Sequence, residues 1–578
     1  MPQVGALPPV ETRRDALQRQ WPQWRGWTLA ELLDLVADRH PDRPLVITDE
    51  RVWSYREMQQ WSARLAAGLQ ESGVAPGEHV ALVMANYPEF VALKFAIARL
   101  GAVAVPLNFL LRRDELAYVL AQSDAVLLVT MNRFRTLDYL AVLDELAPGW
   151  ERDGGGRRFT KLRDVVVVST DGDQRAGSRS LDDLARRVAG VPGPVAPPAG
   201  PGAPADIIYT SGTTGTPKGV IVTHDMFLRT AYASAWTRAF EDGRRILFSL
   251  PLYHVFGYVE GLLAAMFVGG AIIPQVAFDP VATLQAVEDH RASEVVMVPT
   301  MTLDVLEAAR KKAFDLSSLR VVFNSGGQSP PAVWGEITDL LGAEEIFTAY
   351  GMTETTASTT CTAPDDPVEC LATGNGRYKP AGVAGDPALG GVLAVYKAVD
   401  LLTGEDLAAG EEGELVVRGP AVTPGYYNKP EETAAAFDEG GWLRTGDIGR
   451  VDAGGSLSLT GRKKECYRCG GELVVPREVE DVLLDHPAVA QAHVVPVPHA
   501  RMGEVGVAFV VLDDAAPATP AALVDWCAER LARFKVPAHV VPVPAGELPT
   551  SATGKIQKFR LAEWAGQLHR LTDRSAQS

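Results

Sequence analysis

At 578 residues the chain is too long for one small domain, and roughly 100–200 residues per unit predicts about three to five compact units. Apolar residues make up 47% and charged residues 22%, an ordinary globular balance that excludes a disordered scaffold or a fibre. The 55 basic and 72 acidic residues leave a net charge of −17, which repels nucleic-acid phosphates; no nucleic-acid partner is expected, and an anionic substrate must meet a local basic or dipolar site.

Met1 to Trp21 contains no apolar run preceded by positive charge, so no secretory signal is expected. Residues 53–73 carry apolar side chains at intervals of three and four after a short strand, which is the period of a helix. The run 79–84 (HVALVM) predicts a buried strand and 88–100 a helix; 103–106, 125–130 and 164–170 predict further strands. Continuous apolar strands alternating with helices point to parallel sheets covered by helices. The stretch 190–205 (GVPGPVAPPAGPGAPA) is too rich in proline and glycine for a helix or central strand and predicts an exposed linker. A strand over 206–210 then runs straight into a Gly/Thr loop.

The apolar run 261–273 is broken by Gly269-Gly270 and stopped by Pro274. It is too short for a membrane span and predicts a buried helix, a turn and a strand. Short strands at 449–451 and 456–460, joined by a turn over 452–455, precede a second boundary near 461–464. Beyond it, helix 476–485, strands 493–497 and 505–512 and helix 520–531 predict a compact α+β unit. No internal repeat is visible. The five cysteines (Cys361, Cys370, Cys466, Cys469 and Cys527) are too few and odd in number for a disulfide framework, and predict a reducing compartment such as the cytoplasm. Cys466 and Cys469 form a CxxC without a second pair, so a metal or redox role is set aside.

The strongest chemical signal is the loop Tyr209-Thr-Ser-Gly-Thr-Thr-Gly-Thr-Pro-Lys-Gly219. Glycines allow tight turns and close approach to a ligand; Ser211, Thr213, Thr214 and Thr216 supply hydroxyls, Lys218 a cation, and consecutive N–H groups an anion nest. The loop is not a Walker A sequence, because Lys218 follows Pro217 and precedes Gly219 instead of Ser or Thr. An idle polar loop is the ordinary alternative, but Pro217 stiffens this one and apolar strands flank it, which favours a polyphosphate cradle.

YTSGTTGTPKG closely resembles the signature loop of the adenylate-forming superfamily, which comprises acyl- and aryl-CoA synthetases, adenylation domains of peptide synthetases and firefly-type luciferases. PLYHVFG at 251–257, YGMTET at 350–355, GELVVRGP at 413–420, GWLRTGD at 441–447, GRKK at 461–464, GGELVVPREVE at 470–480 and PTSATGKIQK at 549–558 match in the family's order, so the resemblance runs from about residue 28 to 563. It implies an α/β fold: a large N-terminal AMP-binding domain, 1–463, of parallel-sheet α/β subdomains plus a β-barrel-like subdomain. A hinge joins it to a small, mobile α+β C-terminal domain, 464–578. It also implies a two-step reaction. A carboxylate attacks the α-phosphate of ATP to give an acyl-adenylate and pyrophosphate, and a thiol, usually that of coenzyme A, then displaces AMP.

By the same resemblance, Thr210, Ser211, Gly212, Thr213, Thr214, Gly215, Thr216 and Lys218 cradle the phosphates. Thr353 donates to the α-phosphate, Glu354 binds Mg2+, and Tyr350 lies near the adenine. Asp447 accepts from the ribose hydroxyls, with Arg462 nearby. Gly326 and Gly327 flank the adenine and acyl portions. The acid pocket falls to His254, Phe256, Tyr258, Ser325 and Gly351, and the aromatic rings there suit a hydrophobic acid. Lys555 reaches the reacting carboxylate from the C-terminal domain, across a tight turn at Gly554. Lys464 is the hinge, and Gly470 and Gly471 pass the pantetheine arm. An ionised carboxylate attacking a triphosphate needs positioning and charge neutralisation rather than a base.

Some features depart from the family pattern. Thr348-Ala349 stands where synthetases often carry Gln-Gly. The stretch 361–380 is longer than expected and is read as a surface loop in preference to a cap on the acid pocket. Arg468 is unusual beside the hinge and is assigned to the coenzyme's phosphates. The amino-acid-activating branch places an Asp near Phe256; none occurs between Tyr253 and Gly261, although Glu260 is close, which favours an acid without an α-amine. The leading expectation is an ATP-dependent acyl- or aryl-CoA synthetase. The alternatives are a stand-alone ligase loading an acyl carrier protein, a luciferase-like monooxygenase and a degenerate nucleotide-binding protein. Joint presence of Lys218, Glu354, Asp447, Arg462 and Lys555 argues against the last. The particular acid is not legible, nor is the oligomeric state, a dimer included.

Overall fold

A computed structural model describes residues 7–186, 200–210, 216–327, 329–513, 518–550 and 556–576. The expectations for Ser211, Gly212, Thr213, Thr214, Gly215, Gly554 and Lys555, and for most of the 190–205 linker, lie outside the described residues.

Two seven-stranded sheets form the bulk of the chain. The first runs, edge to edge, Lys218–Thr223, Pro204–Thr210, Val103–Leu107, His79–Val83, Ala125–Met131, Asp164–Val168 and Arg179–Ser180. It is parallel except at the Lys218–Thr223 edge. All residues of Val103–Leu107 and Ala125–Met131 are buried, as expected of strands covered on both faces. The second sheet runs Glu345–Phe347, Val321–Asn324, Glu294–Met297, Arg245–Phe248, Ala271–Pro274, Pro44–Ile47 and Val52–Ser54, parallel except at its last strand.

Helix Pro88–Leu100 takes its limits from chemistry at its ends: Pro88 sits in the first turn, where its missing N–H costs nothing, and Gly101 ends the helix at φ +72°. It is buried nearly all round. Lys94, at its centre, pairs with both carboxylate oxygens of Asp206 and so ties the helix to the Pro204–Thr210 strand.

The apolar run after Tyr253 folds as a π-helix over Phe256–Leu263, a further turn over Ala264–Met266 and the strand Ala271–Pro274. Helix, turn and strand were expected, but the wide π register was not. Two glycines let that wide helix press on the sheet. A Cβ on Gly257 would lie 2.8 Å from the Leu250 carbonyl oxygen, and one on Gly261 2.5 Å from the Phe248 ring.

A three-stranded sheet (Ala349–Met352, Ala357–Cys361, Arg377–Tyr378) and a four-stranded antiparallel sheet (Val395–Val399, Glu412–Arg418, Leu443–Val451, Leu457–Arg462) curl together into the barrel-like part. Arg377 bridges Ser456 on one side, and Leu393 N–H donates to the Lys379 carbonyl on the other. The 361–380 stretch is therefore not an idle surface loop. It contains helix Val368–Thr373 and a paired strand, and it delivers Lys379 to a position with no solvent exposure.

That burial requires a partner. Lys379 Nζ donates to Ser234 Oγ at 2.7 Å and to the Ser358 carbonyl at 3.1 Å, and lies 3.3 Å from Glu260 Oε1. Glu260 also pairs with Arg238, which pairs in turn with Glu294 and, through it, Arg244. Breaking a buried pair strands the remaining charge. Lys379→Ala is expected to destabilise this unit by about 3 kcal/mol or more, read as a lower urea midpoint at unchanged denaturant slope.

The C-terminal part has its own apolar core, from Tyr467 to Ala565. Its sheet runs Glu472–Val474, Tyr467–Cys469, Gly503–Leu512, Val489–His499, with His539–Pro542 parallel to Gly503–Leu512. Helices Pro476–Leu484, Pro520–Arg530 and Lys558–Ala576 complete it. Strand Val489–His499 extends past the expected 493–497 because it is an edge strand, where Pro496 and Pro498 need no N–H partner. Among the described residues, no helix is long and apolar enough to cross a membrane.

Candidate active site

The antiparallel strands Pro204–Thr210 and Lys218–Thr223 are in register from Ile207↔Ile221 to Thr210↔Lys218, so the Gly/Thr segment connects the two ends of one hairpin. Thr210 is half-buried and Thr216 exposed. A Cβ on Gly219 would lie 2.6 Å from Ile207, so this glycine serves strand packing. Lys218 Nζ sits over the ring of Tyr426, 4.8 Å from its centroid.

Glu354 lies in the short turn Thr353–Thr355, which follows strand Ala349–Met352. It is only 8% exposed, and Thr353 7%. Burial pushes its carboxyl above the ordinary range, against the opposing pull of its own amide, the Tyr426 hydroxyl and the Lys218 charge. Tyr426 OH donates to Glu354 Oε1 at 3.0 Å. A buried carboxylate held by a neutral donor, the Tyr426 hydroxyl, is a hard oxygen ligand of the kind Mg2+ takes alongside phosphate oxygens and water.

Asp447, 4% exposed, projects from strand Leu443–Val451. It receives Tyr350 OH at 2.6 Å and pairs with Arg462 Nε at 2.9 Å, from the opposite position on the neighbouring strand. Lys464 follows two residues on. Partial burial and the like charges of Lys218 and Arg462 lower the pKa of its ammonium.

Ser325, Gly326 and Gly327 follow strand Val321–Asn324. Gly326 has φ +92°, and both glycines are exposed. Ser325 Oγ donates to the Ala349 carbonyl at 2.7 Å, which fastens this turn to the strand that leads to Glu354. Gly351 is required by its neighbour, since a Cβ there would lie 1.7 Å from the Ala357 oxygen. His254 and Phe256 are half-buried at the start of the π-helix. Phe256 N–H donates to His254 Nδ1 at 3.3 Å, and its ring meets Phe323 edge-on at 5.4 Å.

Tyr258 departs from the expectation of a shared acid pocket. Its ring is sealed in the core against Phe227 at 5.3 Å and Lys94 at 4.5 Å, because residues two apart on a helix do not share a face. Glu260 is likewise committed to Arg238 and Lys379. Gly470 (φ +63°) and Gly471 (φ +92°) form an exposed turn, and Arg468 donates to the Gly471 carbonyl at 2.9 Å. Cys469 is buried; Cys466 donates to the Arg462 carbonyl, and burial raises its thiol to about 11. Sequence reasoning missed Tyr426. The signal available was a pair of aromatics, Tyr426-Tyr427, in a Pro/Gly turn segment.

Comparison with known proteins shows the family. Residues 33–427 match the AMP-binding enzyme family, and residues 478–555 match the AMP-binding enzyme C-terminal domain. A methyl-dioxo-octahydro-indenyl propanoyl:CoA ligase of Mycobacterium tuberculosis is 34% identical over 93% of this chain and 98% of its own. The mitochondrial medium-chain acyl-CoA ligase ACSF2 of Danio rerio is 31% identical over 93% of this chain and 88% of its own. The crystal structure of ATP-bound MatB from Rhodopseudomonas palustris superposes with a TM-score of 0.79 at 26% identity, covering 93% of this chain and 99% of that one. The chain thus belongs to the AMP-binding enzymes and is an AMP-forming acyl-CoA synthetase, which joins a carboxylic acid to coenzyme A through an acyl-adenylate made from ATP.

Proposed function

We propose that this synthetase activates a hydrophobic carboxylic acid lacking an α-amine, and that the buried carboxylates and clustered cations described above are its nucleotide site. The observation that carries the reading is the convergence of Lys218, Arg462 and Lys464 with the buried Glu354 and Asp447. The hairpin connection and Lys218 receive the β- and γ-phosphates. Asp447, already accepting from Tyr350 and Arg462, takes the ribose hydroxyls. Thr353 faces the α-phosphate. Glu354 would hold Mg2+, which when bound neutralises part of the triphosphate charge.

In the first step a carboxylate oxygen attacks the α-phosphorus. A new P–O bond forms, the bond to the bridging oxygen breaks, and pyrophosphate leaves with that electron pair. Lys555, from domain 464–578, steadies the negative charge shared by the two reactants. In the second step the coenzyme A thiol gives up its proton to solvent and its sulfur attacks the acyl carbon; a C–S bond forms, the acyl C–O bond to the phosphate breaks, and AMP leaves with that electron pair. Rotation about Lys464 exchanges the Lys555 loop for the Gly470-Gly471 turn, past which the pantetheine arm runs; Arg468 serves to hold that turn. Two supports favour an apolar acid: Phe256 set edge-on against Phe323, and neutralisation of Glu260 by Arg238 and Lys379, which leaves that carboxylate no free charge for a substrate ammonium.

The test is a panel of medium-chain, aryl, polycyclic and α-amino acids, scored by pyrophosphate release and then by thioester formation with coenzyme A. Apolar acids are expected to be turned over at least tenfold faster than amino acids. Preference for an amino acid would refute the reading of the acid pocket.

A further inference from the structure

Tyr426 stands between two opposite charges that have reason to meet. Its hydroxyl donates to Glu354 at 3.0 Å, and its ring carries Lys218 on its face at 4.8 Å. The ring is placed by backbone on both sides. Tyr426 bridges Val220, Ile221 N–H donates to the Gly425 carbonyl at 3.1 Å, and Tyr427 N–H donates to the Gly219 carbonyl at 2.7 Å. Its own N–H goes to Thr433 Oγ1 at 2.9 Å. Thr423 completes the stitching, with its N–H on the Glu354 carbonyl at 2.8 Å and its hydroxyl on the Ile221 carbonyl at 2.7 Å. The segment thereby joins the phosphate hairpin to the Glu354 turn.

We propose that Tyr426 is a positioning residue that keeps Lys218 and Glu354 apart and ready for a metal-bound polyphosphate. An ammonium and a buried carboxylate attract strongly where water is scarce. Once closed on each other they would neutralise the two groups that phosphate and divalent cation require, and reopening would strand two desolvated charges. A phenol hydrogen bond and a cation–π contact are weaker holds, and both can be exchanged for ligand contacts. The inference rests on the reading of Lys218 as a phosphate ligand and Glu354 as the metal-side carboxylate.

The experiment is calorimetric titration of the full chain with ATP, once with Mg2+ and once with EDTA. Tyr426→Phe keeps the ring and loses the hydroxyl. Its affinity for ATP with Mg2+ is expected to fall about fivefold, while affinity in EDTA stays within twofold. Tyr426→Leu loses both holds and is expected to fall at least tenfold under both conditions. Wild-type binding by Tyr426→Phe, or equal losses by that same variant with and without Mg2+ accompanied by a lower melting temperature, would overturn the proposal and leave Tyr426 a packing residue. Lys218→Ala and Glu354→Gln are titrated alongside. If these too bind like wild type, the phosphate-site reading itself fails.

Discussion

Lys555→Ala is expected to lower acid-dependent pyrophosphate release by about 100-fold or more, the scale of a lost charge-stabilising donor, while thioester formation from a supplied acyl-adenylate stays within about threefold. The asymmetry follows from charge. In the first step an anion must approach a polyphosphate, so a cation at the reacting oxygens stabilises the transition state directly. In the second step the adenylate is already formed and AMP departs as a stable anion. The C-terminal unit supplies a firm base for the segment. Thr550 bridges Ile556, Gln557 N–H donates to the Pro549 carbonyl at 2.7 Å, and Lys558 pairs with Glu465 at 2.6 Å and Glu480 at 2.8 Å. Glu465 directly follows Lys464, so the base of the Lys555 segment is tied to the chain leaving the proposed hinge. Both half-reactions are measured on one preparation, by pyrophosphate release and by thioester formation. Equal loss in the two would remove the domain-exchange account.

Where a local rule decided the outcome, the sequence was readable. Helix Pro88–Leu100 was legible to the residue because a proline opens it and a glycine closes it. The hairpin of Pro204–Thr210 and Lys218–Thr223 was legible because two apolar strands flank a run of Gly, Ser and Thr. The α+β character of the C-terminal unit followed from period alone. What stayed hidden depended on partners far away in the chain. A run apolar on every side, such as Phe256–Leu263, gives the same pattern in α and π registers, so the wide turn and the inward aim of Tyr258 had no sequence signal. The burial of Lys379 at the end of the 361–380 stretch had no local signal, because its partner Glu260 lies 119 residues earlier. Tyr426 escaped because its role consists of two contacts, with Lys218 and Glu354, that only the assembled barrel and hairpin bring together.

Glu354→Gln isolates charge from shape. The amide is nearly isosteric, and its carbonyl can still accept from Tyr426 OH, so the fold and the Thr353–Thr355 turn are expected to hold with an unchanged melting temperature. What is lost is the one negative charge that suits a hard cation at this turn. Adenylation is therefore expected to fall about 100-fold, and the Mg2+ concentration giving half-maximal rate should rise several-fold. The acid side of the pH profile gives a second reading of the same group. Burial raises the Glu354 carboxyl above its ordinary range, so the charged form is lost as pH falls through that raised value, at a higher pH than for an exposed glutamate. At limiting Mg2+, where the cation does not hold the carboxylate ionised, the wild type should then lose adenylation rate on acidification before an ordinary carboxylate would titrate. The Gln variant has no such group, and its residual rate should be flat across that range. Thioester formation from a supplied adenylate needs no polyphosphate and should be nearly indifferent to the substitution. A Gln variant that keeps the wild-type Mg2+ dependence and acid limb would move the metal-side role to another residue and leave Glu354 a buried structural carboxylate.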